Sequence, residues 1–160
     1  INRYPEINYI IAGDGPEVKN LKQLVNINKI EKNVTFVGNI NDGQKKYIFQ
    51  KTDLMIMPTL DESKKNSIEG FGISYLEAAF FAIPSIASNI GGTAEAVLNN
   101  STGIVLEKNE LLHDIILDLL ENKDKRITLG NAAQKRAIKY FQWERIIESH
   151  LSIYRKYNII

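Results

Sequence analysis

The sequence contains no cysteine among its 160 residues. This absence excludes a disulfide framework, a thiolate metal site and a cysteine nucleophile, and it is compatible with a reducing cytoplasm. An excess of charge of one sign is also lacking, because 20 basic and 19 acidic residues leave a formal net charge of +1. The balance gives no electrostatic indication of nucleic-acid binding. Any anionic ligand is therefore expected to be held by local groups.

Long hydrophobic runs are missing as well. Apolar stretches such as residues 78–87 are too short to span a membrane, and Pro84 interrupts that one. The N-terminus lacks the basic and then apolar pattern of a signal peptide. With 44% hydrophobic residues, however, the chain is large enough to bury the core of one globular domain.

Short apolar strands alternate with helical segments through the first two thirds of the chain. Five apolar runs have the length and composition of buried parallel strands: residues 7–12, 34–37, 54–57, 85–87 and 104–106. Helical spacing or helix-start signals lie between them, at residues 17–28, 43–50, 73–81 and 93–98. After Leu111 the pattern is helical only. This order predicts an α/β fold with a doubly wound, Rossmann-like parallel sheet and C-terminal helices.

A glycine loop opens the helix at Ile73. Ligands of parallel α/β sheets bind at the carboxyl ends of strands, and this loop follows one of them. Gly70 and Gly72 allow the backbone to approach a ligand closely, and the free N–H groups at a helix start suit a phosphate. Phe71, Gly72 and Ile73 are therefore candidate residues for binding a diphosphate.

Two carboxylates flank this loop. The helix is apolar nearly all round, so Glu77 is expected to enter the interior and to need a hydrogen-bonding partner there. An ionised carboxylate accepts through two oxygens and matches the two adjacent hydroxyls of a ribose, although a buried ion pair or a helix cap would also satisfy it. Glu69 either belongs to the same site or simply faces solvent or stabilises the helix N-terminus.

Two further glycine segments follow predicted strands. Gly91 and Gly92 precede a short helix whose first amides would suit a second phosphate or a sugar hydroxyl. Gly13 begins a segment that lacks the third glycine of a dinucleotide-binding fingerprint, since Val18 occupies its place. This disfavours a dehydrogenase and favours a strand-to-helix turn at Asp14 and Gly15 in which glycine adopts positive φ. There is no Asp-x-Asp pair, and the two histidines lack zinc-ligand spacing, so no metal is expected.

Taken as an ordered set, these elements resemble the C-terminal, donor-binding domain of the large retaining glycosyltransferase family with the GT-B fold, which includes sucrose synthases and phosphatidylinositol mannosyltransferases. Glu69 and Glu77 match the Glu-x7-Glu motif of that family. The resemblance covers essentially the whole chain and rests on the series Gly13-x-Gly-Pro, Phe36-Val-Gly, Asp53-x-x-x-x-Pro58, Glu69-Gly-Phe-Gly, Glu77-Ala, Pro84, Ser88, Gly91-Gly-x-x-Glu95, Gly103 and Phe141-x-Trp143.

The resemblance implies a single nucleotide-sugar-binding domain over residues 1–160, without its first strand and basic loop and without the N-terminal acceptor domain. It places Glu69 as the catalytic residue beside the hydroxyls of the donor sugar and Glu77 at the ribose. The amides around Gly72 and Ile73 would hold the diphosphate. The base would lie near Val37, Gly38 and Ile40, and the remaining ligand-binding positions are Gly13, Gly91 and Gly92.

The function implied is that of a retaining, metal-independent and cofactor-free hexosyltransferase. It would transfer a hexose from a nucleoside-diphosphate sugar to a glycan or lipid-linked acceptor held by the missing domain, and this chain alone would be inactive. A cytoplasmic location is implied, with peripheral contact of the full-length protein at the inner face of the membrane as an option. The alternatives are a non-catalytic nucleotide-sugar-binding subunit that needs a partner chain, and a nucleotide-sugar epimerase of the same architecture.

Three features depart from the family or extend it. Ala82 stands where the family usually has glycine, which suggests altered packing. Lys64 and Lys65 lie in a loop that is either a donor-site lid or a solvated insertion; they either partly replace the missing basic residues or, as the default, form a surface charge pair. Trp143, Tyr154 and Tyr157 are expected to anchor the core or another domain, because the last helix of the family crosses onto the other domain.

Overall fold

The computed structural model describes residues 4–60, 69–107 and 110–159. The strands are β1 (Tyr9–Ala12), β2 (Val34–Gly38), β3 (Met55–Met57), β4 (Ser85–Ser88) and β5 (Gly103–Leu106). The helices are α1 (Val18–Ile27), α2 (Asp42–Phe49), α3 (Ile73–Phe80), α4 (Thr93–Ala96), α5 (Leu112–Glu121), α6 (Lys123–Tyr140) and α7 (Trp143–Lys156). The predicted order of elements is confirmed, with ends that differ by about two residues, the usual uncertainty of such boundaries.

The chain divides into two compact units, Ile1–Ile48 and Phe49–Ile160. In the first unit β1 and β2 pair in parallel, with a register shift between Ile11 and Ala12. In the second unit β3, β4 and β5 form a parallel sheet in that order. The predicted α/β class with parallel strands is confirmed. The described strands nevertheless form two sheets rather than one, because β1 pairs only with β2 and β3 only with β4.

Helices cover both faces of the sheet in the second unit. On one face Ala87 and Val105 pack with Tyr75 of α3 and Val97. On the other face Ile86 of β4 and its neighbour in β5 pack with leucines of α5 and α6, at positions 119 and 129. Successive residues of a strand point to opposite faces, so an uninterrupted apolar strand is buried on both sides. The doubly wound arrangement is therefore present in this unit.

Small residues bring α6 close to α3. Ala79 packs against Ala133 and Ala137, and all three are buried. A Cβ placed on Gly130 would overlap the carbonyl oxygen of Ala82, just after α3. Helices with alanine and glycine at their contact approach more closely than helices with larger side chains, so α6 fixes the position of α3 through its backbone.

The turn after α3 holds Ala82 in a conformation that favours glycine. Ala82 has φ of +57°, in the left-handed region. Its amide donates to Ala79 O at 2.9 Å, and the amide of Ile83 donates to Ala78 O at 3.2 Å. This pair of bonds is the Schellman motif, whose left-handed residue is usually glycine. An alanine there costs about 1 kcal/mol of conformational strain.

The last helix has an apolar face that no described residue covers. None of the α7 residues is buried, and Trp143 and Tyr157 are 74% and 65% exposed. The expectation that these aromatic residues are core anchors is therefore wrong for the described residues, and packing against another domain remains a prediction. None of the helices described here combines the length and the hydropathy needed to cross a bilayer.

Candidate functional site

The loop before α3 is closed by the side chain of Glu69. One carboxylate oxygen, Oε1, accepts hydrogen bonds from the amides of Gly72 at 2.9 Å and Phe71 at 3.3 Å. Gly72 has φ of +83°, and a Cβ at this position would overlap the ring of Tyr75. Only glycine fits this conformation without strain, and the loop therefore presents its backbone rather than a side chain.

The first turn of α3 keeps open donors beside this carboxylate. The amides of Ile73 and Ser74 make no hydrogen bond to another described residue. Open N–H groups at a helix start, with the positive end of the helix dipole, favour an anion. The two predicted anion-binding amides therefore differ: the amide of Gly72 donates to Glu69, whereas the amide of Ile73 is open to a ligand.

The carboxylate of Glu69 is bonded to the amides of Phe71 and Gly72, which precede the first residue of α3, and it lies near the start of that helix. A negative side chain at this position interacts favourably with the helix dipole by about 0.3–1 kcal/mol. Its assignment beside donor-sugar hydroxyls stays a prediction. An incoming anion and the Glu69 carboxylate would compete for the same positive end of the helix, since like charges repel.

Glu77 lies on α3 beside the buried side of the helix and is itself partly buried. The buried side of the helix is formed by Tyr75, Ala78 and Ala79, while Ile73 is 71% exposed. Glu77 follows Ile73 by one helical turn, on the same face. The expectation that Glu77 enters the interior is therefore met only in part, and its role at a ribose stays a prediction.

Tyr75 joins this turn to the end of β3. Its ring is buried, and its hydroxyl donates to the carbonyl of Met57 at 2.5 Å. Burial raises the pKa of Tyr75, as does the nearby charge of Glu69, while a hydrogen bond with Thr59 acts in the opposite direction. Sequence reasoning treated Tyr75 as one of several apolar residues of the helix. A phenol in an otherwise apolar helix start was the available signal for a fixed hydrogen bond.

The loop containing Gly91 and Gly92 contacts the loop before α3. The amide of Gly92 donates to Glu69 O at 3.2 Å, and a Cβ at Gly92 would overlap the carbonyl oxygen of Gly70. Gly91 has φ of +60°. The helix that follows, α4, is a single turn of four residues, so few peptide dipoles are aligned there. Close backbone packing accounts for Gly92 and the left-handed φ accounts for Gly91, and their role in phosphate binding stays a prediction.

Residues at the end of α6 contact both α4 and the loop before α3. The guanidinium of Arg136 donates to the carbonyls of Glu95 at 2.6 Å and Ala96 at 2.9 Å. It also lies over the ring of Phe141, 4.8 Å from the centroid. That ring contacts the ring of Phe71 at a centroid distance of 5.6 Å. Burial lowers the pKa of Arg136, but a guanidinium stays charged at neutral pH.

Sequence reasoning missed Arg136 entirely and used Phe141 only as part of a motif. The hydrogen bonds of Arg136 join residues 40 and 41 positions apart, and neither propensity nor spacing records such pairs. An arginine in the last turns of a helix that ends at an aromatic residue is a weak signal on its own.

The first unit contains Gly13, Val37, Gly38 and Ile40. Gly13 follows β1 with φ of +115°, and Gly38 ends β2 with φ of +62°. The amide of Gly13 donates to Gly38 O at 2.7 Å, so the carboxyl ends of the two strands meet. The turn with positive φ is predicted at Asp14 and Gly15, but the glycine of this segment that has positive φ is Gly13. The ligand-binding role of Gly13 and the base-binding role of Val37, Gly38 and Ile40 stay predictions. Lys64 and Lys65 lie outside the described residues.

A small cavity lies under α3. It is lined by Tyr75, Ala96 and Arg136, among other residues, and its volume is about 10 Å³. This space suffices for one water molecule and for nothing larger. A ligand of nucleotide size would therefore bind on the open surface of the loops rather than in this cavity.

Residues 1–136 match the protein family described as glycosyl transferases group 1. The GDP-mannose-dependent alpha-(1-6)-phosphatidylinositol monomannoside mannosyltransferase of Mycobacterium tuberculosis is 28% identical over 137 residues, which are 84% of this chain and 36% of the relative. The N-acetyl-alpha-D-glucosaminyl L-malate synthase of Bacillus anthracis is 28% identical over 147 residues, 91% of this chain and 36% of the relative. The chain thus spans little more than a third of these relatives.

Solved structures share the fold. Sucrose-phosphate synthase from Thermosynechococcus elongatus superimposes with a TM-score of 0.79 at 24% identity, over 94% of this chain and 38% of that one. HepE from Anabaena, solved in complex with UDP and glucose, gives a TM-score of 0.77 at 23% identity, over 99% of this chain and 43% of that one. These similarities confirm the predicted fold class.

Proposed function

Because the chain belongs to the glycosyl transferases group 1 family, we propose that it is the donor-binding half of a retaining hexosyltransferase. The whole protein would transfer a hexose from a nucleoside-diphosphate sugar to a glycan or a lipid-linked acceptor. The open amides in the first turn of α3, flanked by Glu69 and Glu77, carry the proposal. Two similar proteins support it, since one is named as GDP-mannose-dependent and another was solved with UDP and glucose.

The diphosphate of the donor binds at the amides of Ile73 and Ser74 in this proposal. During transfer the bond between the sugar and the diphosphate breaks, and negative charge develops on the departing oxygen. Fixed backbone amides stabilise that charge without reorganising. The same oxygen accepts the proton of the acceptor hydroxyl while the new glycosidic bond forms, so no protein nucleophile is required.

The two glutamates take different parts of the donor. Glu77 shares the open face of α3 with Ile73 and is proposed to accept hydrogen bonds from the ribose hydroxyls. Glu69 would be repelled by a diphosphate at the same helix end, and it is proposed to turn toward the hydroxyls of the sugar when the donor binds. The loss of its bonds to Phe71 and Gly72 would then be offset by contacts with the ligand.

The proposal needs neither a metal ion nor another cofactor, because backbone amides meet the charge of the diphosphate. The transfer rate of the full-length protein should then be the same after treatment with EDTA. A rate that falls on chelation and returns on addition of magnesium or manganese would contradict this part.

The acceptor is proposed to bind on another domain of the full-length protein, since this chain spans 36% of the mycobacterial relative. The exposed apolar face of α7, with Trp143 and Tyr157, suits packing against such a domain. This chain alone is then expected to bind the donor without transferring it. We place the whole protein in the cytoplasm, in peripheral contact with the inner face of the membrane where the acceptor is lipid-linked.

The role of Glu77 is tested by donor affinity. Uridine, guanosine and adenosine diphosphates and their sugars are titrated against the full-length protein to find the donor. The variant Glu77→Gln should then bind that donor about 10-fold to 100-fold more weakly, the range of a hydrogen bond to a charged group. The exposed Glu31 of the first unit provides the control, and Glu31→Gln should leave the affinity unchanged. Equal affinities for the two variants would refute the assignment.

The role of Glu69 is tested by a pair of variants. Glu69→Gln keeps an acceptor oxygen for the amides of Phe71 and Gly72 but removes the charge, whereas Glu69→Ala releases both amides. Both should reduce kcat, but only Glu69→Ala should also lower the melting temperature. An unchanged kcat in Glu69→Gln would show that Glu69 only caps the helix. Product formed without any acceptor would indicate an epimerase instead of a transferase.

A further inference from the structure

The two glycine loops of the second unit are in direct backbone contact. The amide of Gly92 is bonded to the carbonyl of Glu69, and the backbone at Gly92 lies directly against Gly70. No side chain separates the two segments at this point, so a displacement of one loop shifts the backbone of the other. The position of α4 therefore determines where the loop before α3 holds its amides.

Residues at the end of α6 contact both of these segments, α4 and the loop before α3. Arg136 donates two hydrogen bonds to the last carbonyls of α4, those of Glu95 and Ala96. Phe141, the residue that ends α6, contacts the ring of Phe71 in the loop before α3. Arg136 also lies over the ring of Phe141, and this cation–π contact joins the two attachments to each other.

The chemistry of this connection requires arginine. A guanidinium presents a planar fork of donors, which reaches two adjacent carbonyls while its face stacks on an aromatic ring. A lysine carries its charge at a single point and cannot make the fork and the stack together. An aromatic residue is needed at 141 for the same reason, because an aliphatic side chain offers no π face.

We propose that Arg136 and Phe141 are positioning residues, which hold the Glu69–Gly72 loop and the start of α3 in the arrangement that binds the donor diphosphate. This inference rests on the proposed function for the identity of the ligand. The placement of the loop rests on the contacts alone. Neither residue touches the ligand, so both act through the backbone that they fix.

Arg126 provides a matched control within the same unit. Its guanidinium donates to the carbonyls of Leu119 at 2.5 Å and Leu120 at 2.8 Å, at the end of α5. Both arginines donate two hydrogen bonds to carbonyls near the end of a helix, but Arg126 uses one nitrogen and Arg136 uses two. Of the two, Arg136 lies over Phe141, whose ring contacts Phe71 in the loop before α3. If the role of Arg136 were purely structural, Arg136→Lys and Arg126→Lys would not differ in ligand affinity at equal folded fraction.

Affinity and hydrogen exchange in the full-length protein test the proposal together. Both lysine variants should lower the melting temperature by similar amounts. Arg136→Lys should raise the Kd for uridine or guanosine diphosphate, and the donor KM, at least 10-fold with a smaller change in kcat, while Arg126→Lys leaves them unchanged. Amide exchange at Gly72 should also become at least 10-fold faster in Arg136→Lys only. Phe141→Leu should reproduce these effects, and Phe141→Tyr, which keeps the ring, should restore wild-type behaviour.

The two readouts separate the two possible failures. If the wild-type protein binds none of the nucleoside diphosphates, the proposed function is wrong, and the exchange rate at Gly72 still tests the positioning role. If exchange at Gly72 and the affinities are the same in Arg136→Lys and Arg126→Lys at equal folded fraction, the positioning role is wrong whatever the ligand is.

Discussion

The two units of the chain use similar strand sequences with different results. Strand β1 reads Tyr-Ile-Ile-Ala, and none of its residues is buried, whereas β4 and β5 each bury their first three residues. All the buried core residues lie in the second unit, and no described residue of the first unit is buried. An apolar run therefore predicts a strand in both units but predicts burial in only one.

The difference lies in what covers the strands. In the second unit α3 and α4 pack on one face of the sheet, and α5 and α6 pack on the other. Apolar area stabilises a fold only when another layer removes it from water, by about 25 cal/mol for each Å². The described residues of the first unit provide two strands and the helices α1 and α2 alone. Most of the stability of the described structure is thus expected to come from the second unit.

Truncation of one leucine in each unit gives the largest expected contrast. Leu119 is fully buried, and Leu119→Ala should lower the free energy of unfolding by about 2–5 kcal/mol, because it leaves a cavity. Leu24 is 54% exposed, and Leu24→Ala should cost less than about 1 kcal/mol. Urea unfolding of the purified protein measures both values. Similar losses would show that the first unit is packed as tightly as the second.

Replacement of one glycine by alanine in each unit gives the second-largest expected contrast in stability. A Cβ at Gly130 would overlap the carbonyl oxygen of Ala82, so Gly130→Ala should destabilise the protein by about 1–3 kcal/mol, although alanine is the better helix former. In the first unit a Cβ placed on Gly15 would meet open space, and Gly15→Ala should change stability by less than about 0.5 kcal/mol. Thermal unfolding compares the two. A neutral Gly130→Ala would mean that α6 can move away from α3.

The phenol of Tyr75 should make the stability of the second unit depend on alkaline pH. The pKa of Tyr75 is raised in the folded protein, so folding favours its protonated form. Its contribution to stability is complete below about pH 10, the unfolded pKa, and is lost as the pH rises toward the folded value. Tyr75→Phe should reduce this alkaline loss and cost about 1 kcal/mol at neutral pH through the missing bond to Met57. In the first unit Tyr9 is 45% exposed, and Tyr9→Phe should cost less than about 0.5 kcal/mol at neutral pH. Urea unfolding between about pH 8 and pH 11 measures these values, and an unchanged alkaline loss in Tyr75→Phe would contradict this account.

The smallest expected effects concern residues that follow helix ends, where substitution should increase the stability of the protein rather than lower it. Lys29, after α1, has φ of +55° and forms the same pair of backbone bonds as Ala82 after α3. Glycine adopts this conformation without strain, so Ala82→Gly and Lys29→Gly should each stabilise their unit by up to about 1 kcal/mol. Hydrogen exchange, resolved by unit, separates the two gains. A loss of stability in Ala82→Gly would indicate that the methyl group of Ala82 packs favourably.

Periodicity and turn chemistry were enough to locate the elements of the fold. The strand at 85–87 and the helix at 73–81 were predictable because apolar runs and glycine or proline punctuation are local signals. The exposure of β1 was not predictable, since burial depends on layers that a local pattern does not specify. The incomplete burial of Glu77 was not predictable for a related reason: an apolar helix that begins at exposed Ile73 need not be covered on every side.

The candidate site was predictable in its composition but not in its contacts. Glycine at 72 and carboxylates at 69 and 77 are visible in the sequence. The capping of the loop by Glu69 depends on the path of the chain around Gly72, which the spacing of residues does not determine. The attachment of Arg136 to α4 joins segments forty residues apart and requires the folded structure.

The contact of Gly92 with Gly70 has a consequence for how related sequences are read. The side chain allowed at position 92 is set by the main chain of a loop twenty residues earlier, and not by the residues beside it. A relative with a bulkier residue at 92 must therefore trace a different path before its α3 helix. The residue at position 92 thus depends on the geometry of a neighbouring segment. A substitution at 92 would be accepted only together with changes in that segment.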